Sequence, residues 1–168
     1  SEIEPNDGLE QAQIIQAEEI SGSFTSRDDH DWYLLKKESE IHIARIEVAG
    51  TPETDLAFNV YDASNKKIFE VNASPAGGRE MVPNLGYDND VFIEILPRGP
   101  ITASGPHYRL TITTRPFTEG FELEPNDTLK TATHVTANTI TGYTSKKGDV
   151  DYYFLEFPSR INKIFTIS

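Results

Sequence analysis

Glu4-Pro5-Asn6-Asp7 occurs twice: the same four residues return as Glu124-Pro125-Asn126-Asp127, 120 residues later. The likeness is wider than this core. Laying Glu2–Val48 on Glu122–Ser168 without a gap gives 16 identities in 47 positions, among them Ala12/Ala132, Ile20/Ile140, Gly22/Gly142, Asp29/Asp149, Asp31/Asp151, Tyr33/Tyr153 and Leu35/Leu155. Gapless agreement over that length implies a tandem duplication. We therefore expect one complete unit over 1–115, a short linker at 116–121 carrying Pro116 and Gly120, and the N-terminal part of a second unit over 122–168.

Within the first unit the apolar residues alternate with period two rather than 3.6. Leu56, Phe58 and Val60 alternate, as do Val91, Ile93 and Ile95, and Tyr108, Leu110 and Ile112. Alternation of this kind is the pattern of half-buried strands. Trp32–Lys36 and Ile41–Val48 read as further strands. In the latter the apolar phase switches between Ile41/Ile43 and Ile46/Val48, which predicts a bulge. Asp62-Ala63-Ser64-Asn65 is turn chemistry, and Arg98–Pro106 reads as a long loop. Many short strands at this spacing predict an all-β chain folded as an antiparallel β-sandwich.

Composition narrows the function. With 27 acidic against 15 basic residues the net charge is −12, the wrong sign for nucleic acid or an anionic membrane surface. No run approaches the length of a membrane span, and no signal peptide is visible. The chain starts at Ser1 without Met, as a processed or excised segment would. Cysteine is absent, which excludes disulfides, thiolate metal sites and thiol catalysis.

Where the carboxylates fall is more informative than their number. Calcium takes six to eight hard oxygens from carboxylates, amide oxygens and carbonyls. Glu2, Glu4, Asn6 and Asp7 supply four such side chains within six residues. In an extended stretch Glu2, Glu4 and Asn6 point to one side. Asp28, Asp29 and Asp31 add three more on a following polar loop. Packed together the two sets would repel, and a divalent cation would relieve the repulsion. The second copy repeats the set as Glu122, Glu124, Asn126, Asp127, Asp149 and Asp151, with Gly148 in the place of Asp28. The alternative needs no metal: Asp7 caps a turn over Leu9–Ala12, and Asp29 and Asp31 accept loop hydrogen bonds.

The motifs taken together resemble the bacterial pre-peptidase C-terminal domain. The resemblance rests on Glu4–Asp7 followed by Asp29-His30-Asp31-Trp32-Tyr33, on the second pair Glu124–Asp127 and Asp149–Tyr153, on Leu56–Asp62, and on the closing Gly105-Pro106-His107-Tyr108-Arg109-Leu110. It implies a jelly-roll-like β-sandwich. It also implies an accessory module of a secreted or cell-surface bacterial protein, with the catalytic domain elsewhere in the parent chain. Collagenase collagen-binding domains are similar in fold and carry calcium near the same opening motif. His30 and Trp32 depart from the residues usual at those positions, so no binding specificity carries over.

Exposed aromatic side chains on a sandwich can bind an extracellular protein or polysaccharide. Trp32, Tyr61 and Tyr87 are the candidates, although strand aromatics more often point into the core. The four histidines show no metal-binding spacing, and no nucleophile elbow, phosphate loop or dinucleotide fingerprint is present. The expectation is a non-enzymatic, calcium-binding module with a substrate or matrix ligand. A spacer or folding aid without a ligand is the alternative.

Overall fold

The computed structural model describes residues 1–101, 107–144 and 148–156. Gly105 and Pro106 of the closing motif, most of the loop ending at Pro106, and residues 157–168 of the second copy lie outside the described residues.

After a 3-10 turn at Leu9–Gln11, the described residues of the first unit form nine strands: β1 (Gln13–Ile14), β2 (Glu19–Gly22), β3 (Asp31–Leu35), β4 (His42–Gly50), β5 (Leu56–Tyr61), β6 (Lys67–Val71), β7 (Arg79–Tyr87), β8 (Val91–Pro97) and β9 (Tyr108–Pro116). They form a five-stranded sheet in the order β1-β3-β8-β5-β6 and a four-stranded sheet in the order β2-β9-β4-β7. Neighbours run antiparallel except β1 and β3. The chain is all-β and folds as a β-sandwich. No helix among the described residues is long and apolar enough to cross a membrane.

Sequence alternation translates directly into the two layers. Tyr33 and Leu35 of β3, Phe58 and Val60 of β5, and Ile93 and Ile95 of β8 turn inward from one sheet. Ile20, Ala44, Ile46, Val48, Val82, Leu85, Tyr108, Leu110 and Ile112 meet them from the other. Burying a side chain of this size contributes ~1.5–3 kcal/mol each, which is what drives the layers together. The predicted irregularity is at the expected place. Ala44 faces Leu85 and Ile46 faces Val82, so two residues of β7, Pro83 and Asn84, stand opposite Arg45 alone. The extra residue thus lies on the partner strand. Pro83 lacks an N–H, and an edge strand at a bulge is where that omission is tolerated.

β7 itself was not legible as a strand, because Glu80, Pro83, Asn84 and Gly86 interrupt its apolar pattern. Its buried Glu80 is satisfied locally, accepting the Ala73 and Ser74 amides at 2.8 and 2.7 Å. As the last strand of the four-stranded sheet β7 presents an open side, and the chain returns to cover it. Leu85 forms a parallel bridge with Glu124, Gly86 N donates to Glu124 O at 2.8 Å, and Glu124 N donates to Asn84 O at 2.9 Å. Beyond this point β10 (Thr133–His134) and β11 (Tyr153–Phe154) pair in parallel. Their registers, Thr133↔Tyr153 and His134↔Phe154, lie 120 positions on from the β1–β3 pairs Gln13↔Tyr33 and Ile14↔Leu34.

Candidate metal centres

The opening segment runs between the two sheets. Glu2 N donates to Ser21 O at 3.0 Å beside β2, and Trp32 N donates to Asn6 O at 2.9 Å beside β3. A cis peptide joins Glu4 to Pro5 between these two anchors. The result carries Glu2 and Glu4 over the first residue of β3, Asp31, which is fully buried. Carboxylate oxygens of Glu2, Glu4 and Asp31 lie within 4.8 Å of one another.

Each group is held by specific donors. Glu2 Oε1 accepts Ser23 N at 2.8 Å and Ser23 Oγ at 3.0 Å, while its Oε2 faces the Tyr108 hydroxyl at 3.2 Å. Glu4 Oε2 accepts Asn6 N at 3.0 Å. The Tyr108 hydroxyl donates to Asp31 Oδ2 at 2.6 Å and itself lies 2.6 Å from the Tyr33 hydroxyl. Asp29 is buried: its Oδ2 accepts Thr25 N and Oγ1 at 2.5 and 2.7 Å, and its Oδ1 has no hydrogen-bond partner.

Electrostatics shows what the cluster lacks. Burial pushes the Asp31 carboxyl up to about 8; the Tyr108 hydrogen bond offsets part of this, and the charges of Glu2, Asp29 and Glu4 add to it. Glu4 is raised as well, first by burial, against the Asn6 N–H, and then by Asp29, Glu2 and Asp7. Positive charge is what these groups are short of.

The Asn6 side-chain amide, fully buried, faces Glu4 Oε2 and Asp31 Oδ1. With its NH2 toward them it donates to both, at 3.0 and 3.2 Å. With its carbonyl oxygen toward them it adds another oxygen to a converging set. The first orientation suits the cluster without a cation and the second suits one with it. Hard oxygens from three carboxylates and an amide fit calcium, which tolerates irregular coordination, better than magnesium with its strict octahedron.

A second cluster repeats the design with changes. Oxygens of Glu122, Glu124 and Asp151 lie within 4.8 Å of one another, and Glu124 groups in the same way with Asp127 and Asp149. The Glu124–Pro125 peptide is also cis, Asn126 N donates to Glu124 Oε2 at 3.0 Å, and Tyr152 N donates to Asn126 O at 3.1 Å. Glu122 and Asn126 are fully buried. Burial pushes Glu124 up to about 7; the Asn126 N–H offsets part of this, and Asp149, Asp127 and Glu122 raise it further. Asp151 is raised by burial first, then by Glu122, Asp149 and Asp127.

The structure thus brings together Glu2, Glu4, Asn6 and Asp31, with Asp29 adjoining. Asp7 and Asp28 are exposed and stand outside the first grouping. Asp7 does not cap the following turn either: Gly8 holds the N-cap position and no side chain caps it.

Of the aromatic candidates, Trp32 and Tyr61 pack with their rings tilted by 32° at a centroid distance of 5.0 Å on the outer face of the five-stranded sheet, half-buried. They adjoin Glu94, which accepts His30 Nδ1 at 2.8 Å, Asn59 Nδ2 at 2.7 Å and the Tyr61 hydroxyl at 2.7 Å. Burial pushes Glu94 up, but these hydrogen bonds outweigh it and hold the carboxyl below its usual value. Tyr87 is a correction. It is 4% exposed and packs in the core beside the His42 ring, so it presents no binding surface.

Sequence reasoning also passed over several residues that line the cluster: Tyr33, Tyr108, Ser23 and Gly22. A Cβ on Gly22 would lie 2.1 Å from the Tyr108 hydroxyl and 2.5 Å from Glu2 Oε2, so only glycine admits their approach. The repeat held the signal, since Gly22/Gly142 and Tyr33/Tyr153 are among its identities.

No protein-family model matches the sequence, and no curated protein matches it. Among solved structures, the chain is similar to the pre-peptidase C-terminal domain of collagenase from Bacillus anthracis, at a TM-score of 0.47 and 15% identity, over 61% of this chain and 94% of that one.

Proposed function

We propose that this chain is a non-catalytic accessory module of a secreted or cell-surface bacterial protein, that it binds calcium at its opening acidic motif, and that it holds an extracellular protein or polysaccharide beside a catalytic domain elsewhere in the parent chain. In this reading residues 122–168 begin a second, tandem copy. The observation that carries it is the convergence of Glu2, Glu4 and Asp31 with the buried Asn6 amide, a set of oxygens short of positive charge. The motif resemblance adds support. Calcium, when bound, supplies the charge that lets the carboxylates share one site; Ser23 and Tyr108 orient Glu2 and Asp31 for it. Trp32 and Tyr61 are the ligand contacts this reading assigns, being packed side by side and partly accessible.

Calorimetric titration with calcium, repeated on Asp31→Asn, tests the metal. Saturable binding that weakens in the variant supports it, and heats indistinguishable from dilution reject it. Retention on immobilised collagen, other matrix proteins and polysaccharides tests the ligand. Retention on none of them leaves a structural spacer.

A further inference from the structure

The two Glu residues that open the clusters are held by different donors, and the difference is systematic. Glu2 Oε1 accepts a backbone amide and a hydroxyl from one residue, Ser23. The residue aligned with Ser23 in the second copy is Tyr143. Its backbone amide donates to Glu122 Oε1 as Ser23 N does to Glu2. Tyr143 brings no Ser hydroxyl to Glu122, and among the described residues Asn84 Nδ2 donates to Glu122 Oε1 at 2.9 Å. Asn84 belongs to the first unit, in the β7 bulge. The first cluster is therefore built from its own unit, whereas the second takes a donor from the unit before it.

Asn84 is placed for this by more than proximity. It is 2% exposed, and its backbone oxygen accepts Glu124 N, so the strand that brings Glu124 to the cluster is the one paired on β7. The two-against-one bulge turns Asn84 toward that edge. Two buried amide oxygens at the cluster, Asn84 Oδ1 and Asn126 Oδ1, have no hydrogen-bond partner. An unpartnered buried carbonyl beside converging carboxylates is an acceptor awaiting a cation or a water.

We propose that Asn84 is a positioning residue for the second cluster, so that calcium binding there and docking of the Glu124 segment onto β7 are one coupled event. The first site is a property of a single unit; the second is a lock between two. This rests on the calcium reading above. Linkage makes the coupling reciprocal: calcium favours the docked arrangement to the extent that docking favours calcium.

The test uses the whole 168-residue chain. Calcium is titrated calorimetrically, with Asp31→Asn and Glu124→Gln identifying the two classes of site. Asn84→Ala is expected to weaken the class that Glu124→Gln removes by about tenfold, the usual cost of losing an outer-shell partner, and to leave the other class unchanged. Adding Tyr143→Ser to Asn84→Ala returns the missing hydroxyl and should restore most of that affinity. Such rescue also separates the positioning role from misfolding. Hydrogen exchange at the Gly86 and Glu124 amides, the two that bridge the units, should slow on calcium saturation. An Asn84→Ala variant with unchanged second-class affinity overturns the inference, as does exchange at those amides that ignores calcium while both classes fill. If neither class binds calcium, the functional reading itself falls and takes this inference with it.

Discussion

The first acidic cluster is closed by residues of its own sandwich, and the second is not. Over the first, Tyr108 arrives on the final strand and joins Tyr33 to Asp31 and Glu2 through hydroxyl contacts. In the second, Tyr153, the counterpart of Tyr33, reaches the carboxylate directly, at 2.6 Å from its hydroxyl to Glu122 Oε2. One intermediate hydroxyl is thus removed, and Asn84 enters from outside. Asp31 is fully buried while its counterpart Asp151 is exposed. The same motif therefore buries its β3 aspartate in one place, with Glu2 and Glu4 more open, and buries its two glutamates in the other, where the cluster is shared between units. The lesson is that a repeated ligand set does not repeat its surroundings, and the surroundings govern charge and affinity.

The widest separation of the two sites is expected from their glycines. Gly22→Ala would force a methyl group into the Tyr108 ring, which is fixed by the core, and against Glu2, and should destabilise the chain by about 3 kcal/mol with loss of first-site calcium. Gly142→Ala meets Glu122 and Tyr153 at 2.4 and 2.5 Å; Glu122 is buried, but Gly142 is exposed and Tyr153 half-buried on a two-residue strand outside the sandwich core, so its cost in a denaturant melt should be smaller. Equal costs would break the comparison.

Chelation comes next. At millimolar calcium and a dissociation constant ~100-fold lower, removing the ion costs about 2.7 kcal/mol per site that is formed only in the folded state. For a chain of this size EDTA should then lower the melting temperature by roughly 5–10 °C. Asp31→Asn should remove most of the first site's response yet not lower the melting temperature in EDTA, because a neutral amide replaces a carboxyl whose charged form burial disfavours. An unchanged EDTA response in this variant would place the stabilising ion elsewhere.

A gentler effect is expected from pH. A carboxyl whose value is raised on folding binds its proton more tightly in the folded state. The stability it confers is present below the unfolded value and is lost as pH rises through the folded one. Chelated protein should accordingly lose stability from about pH 4 to about pH 8 as Asp31, with a folded value of about 8, gives up its proton. Glu124, at about 7, should complete its change earlier. Calcium should flatten the curve, and chemical shifts of the two carboxyls would resolve the midpoints. A chelated protein that gains stability over this range would contradict the buried placement of Asp31.

The smallest change concerns the outer face. Tyr61→Ala removes the ring packed against Trp32 and a donor to Glu94, and should cost about 1–2 kcal/mol without altering calcium binding at either cluster. Ligand retention, if present, should fall with it.

Sequence carried the layers well and the details unevenly. Period-two alternation in Leu56–Val60, Val91–Ile95 and Tyr108–Ile112 corresponds to β5, β8 and β9, because inward burial and strand pleat share one period. Convergence of Glu2, Glu4 and Asn6 on Asp31 was readable, since an extended segment places alternate residues together. Asn84 was not, because nothing local distinguishes a bulged edge residue whose partner lies 38 positions away. Tyr87 was misread for the opposite reason. Asp88 and Asn89 beside it have turn chemistry, but β7 pairs with β4, and that non-local pairing carries the ring inside.

Pairing of Glu124 on the β7 edge also bears on solubility. A terminal strand with unpaired N–H and C=O groups is a template for other chains, and natural sheets shield such edges. Here Pro83 withholds one donor, and the segment leading into the second copy occupies Asn84 O and Gly86 N. The Glu124 segment is thus a guard as well as a tether: while it stays docked, the sandwich has less free edge on which to aggregate.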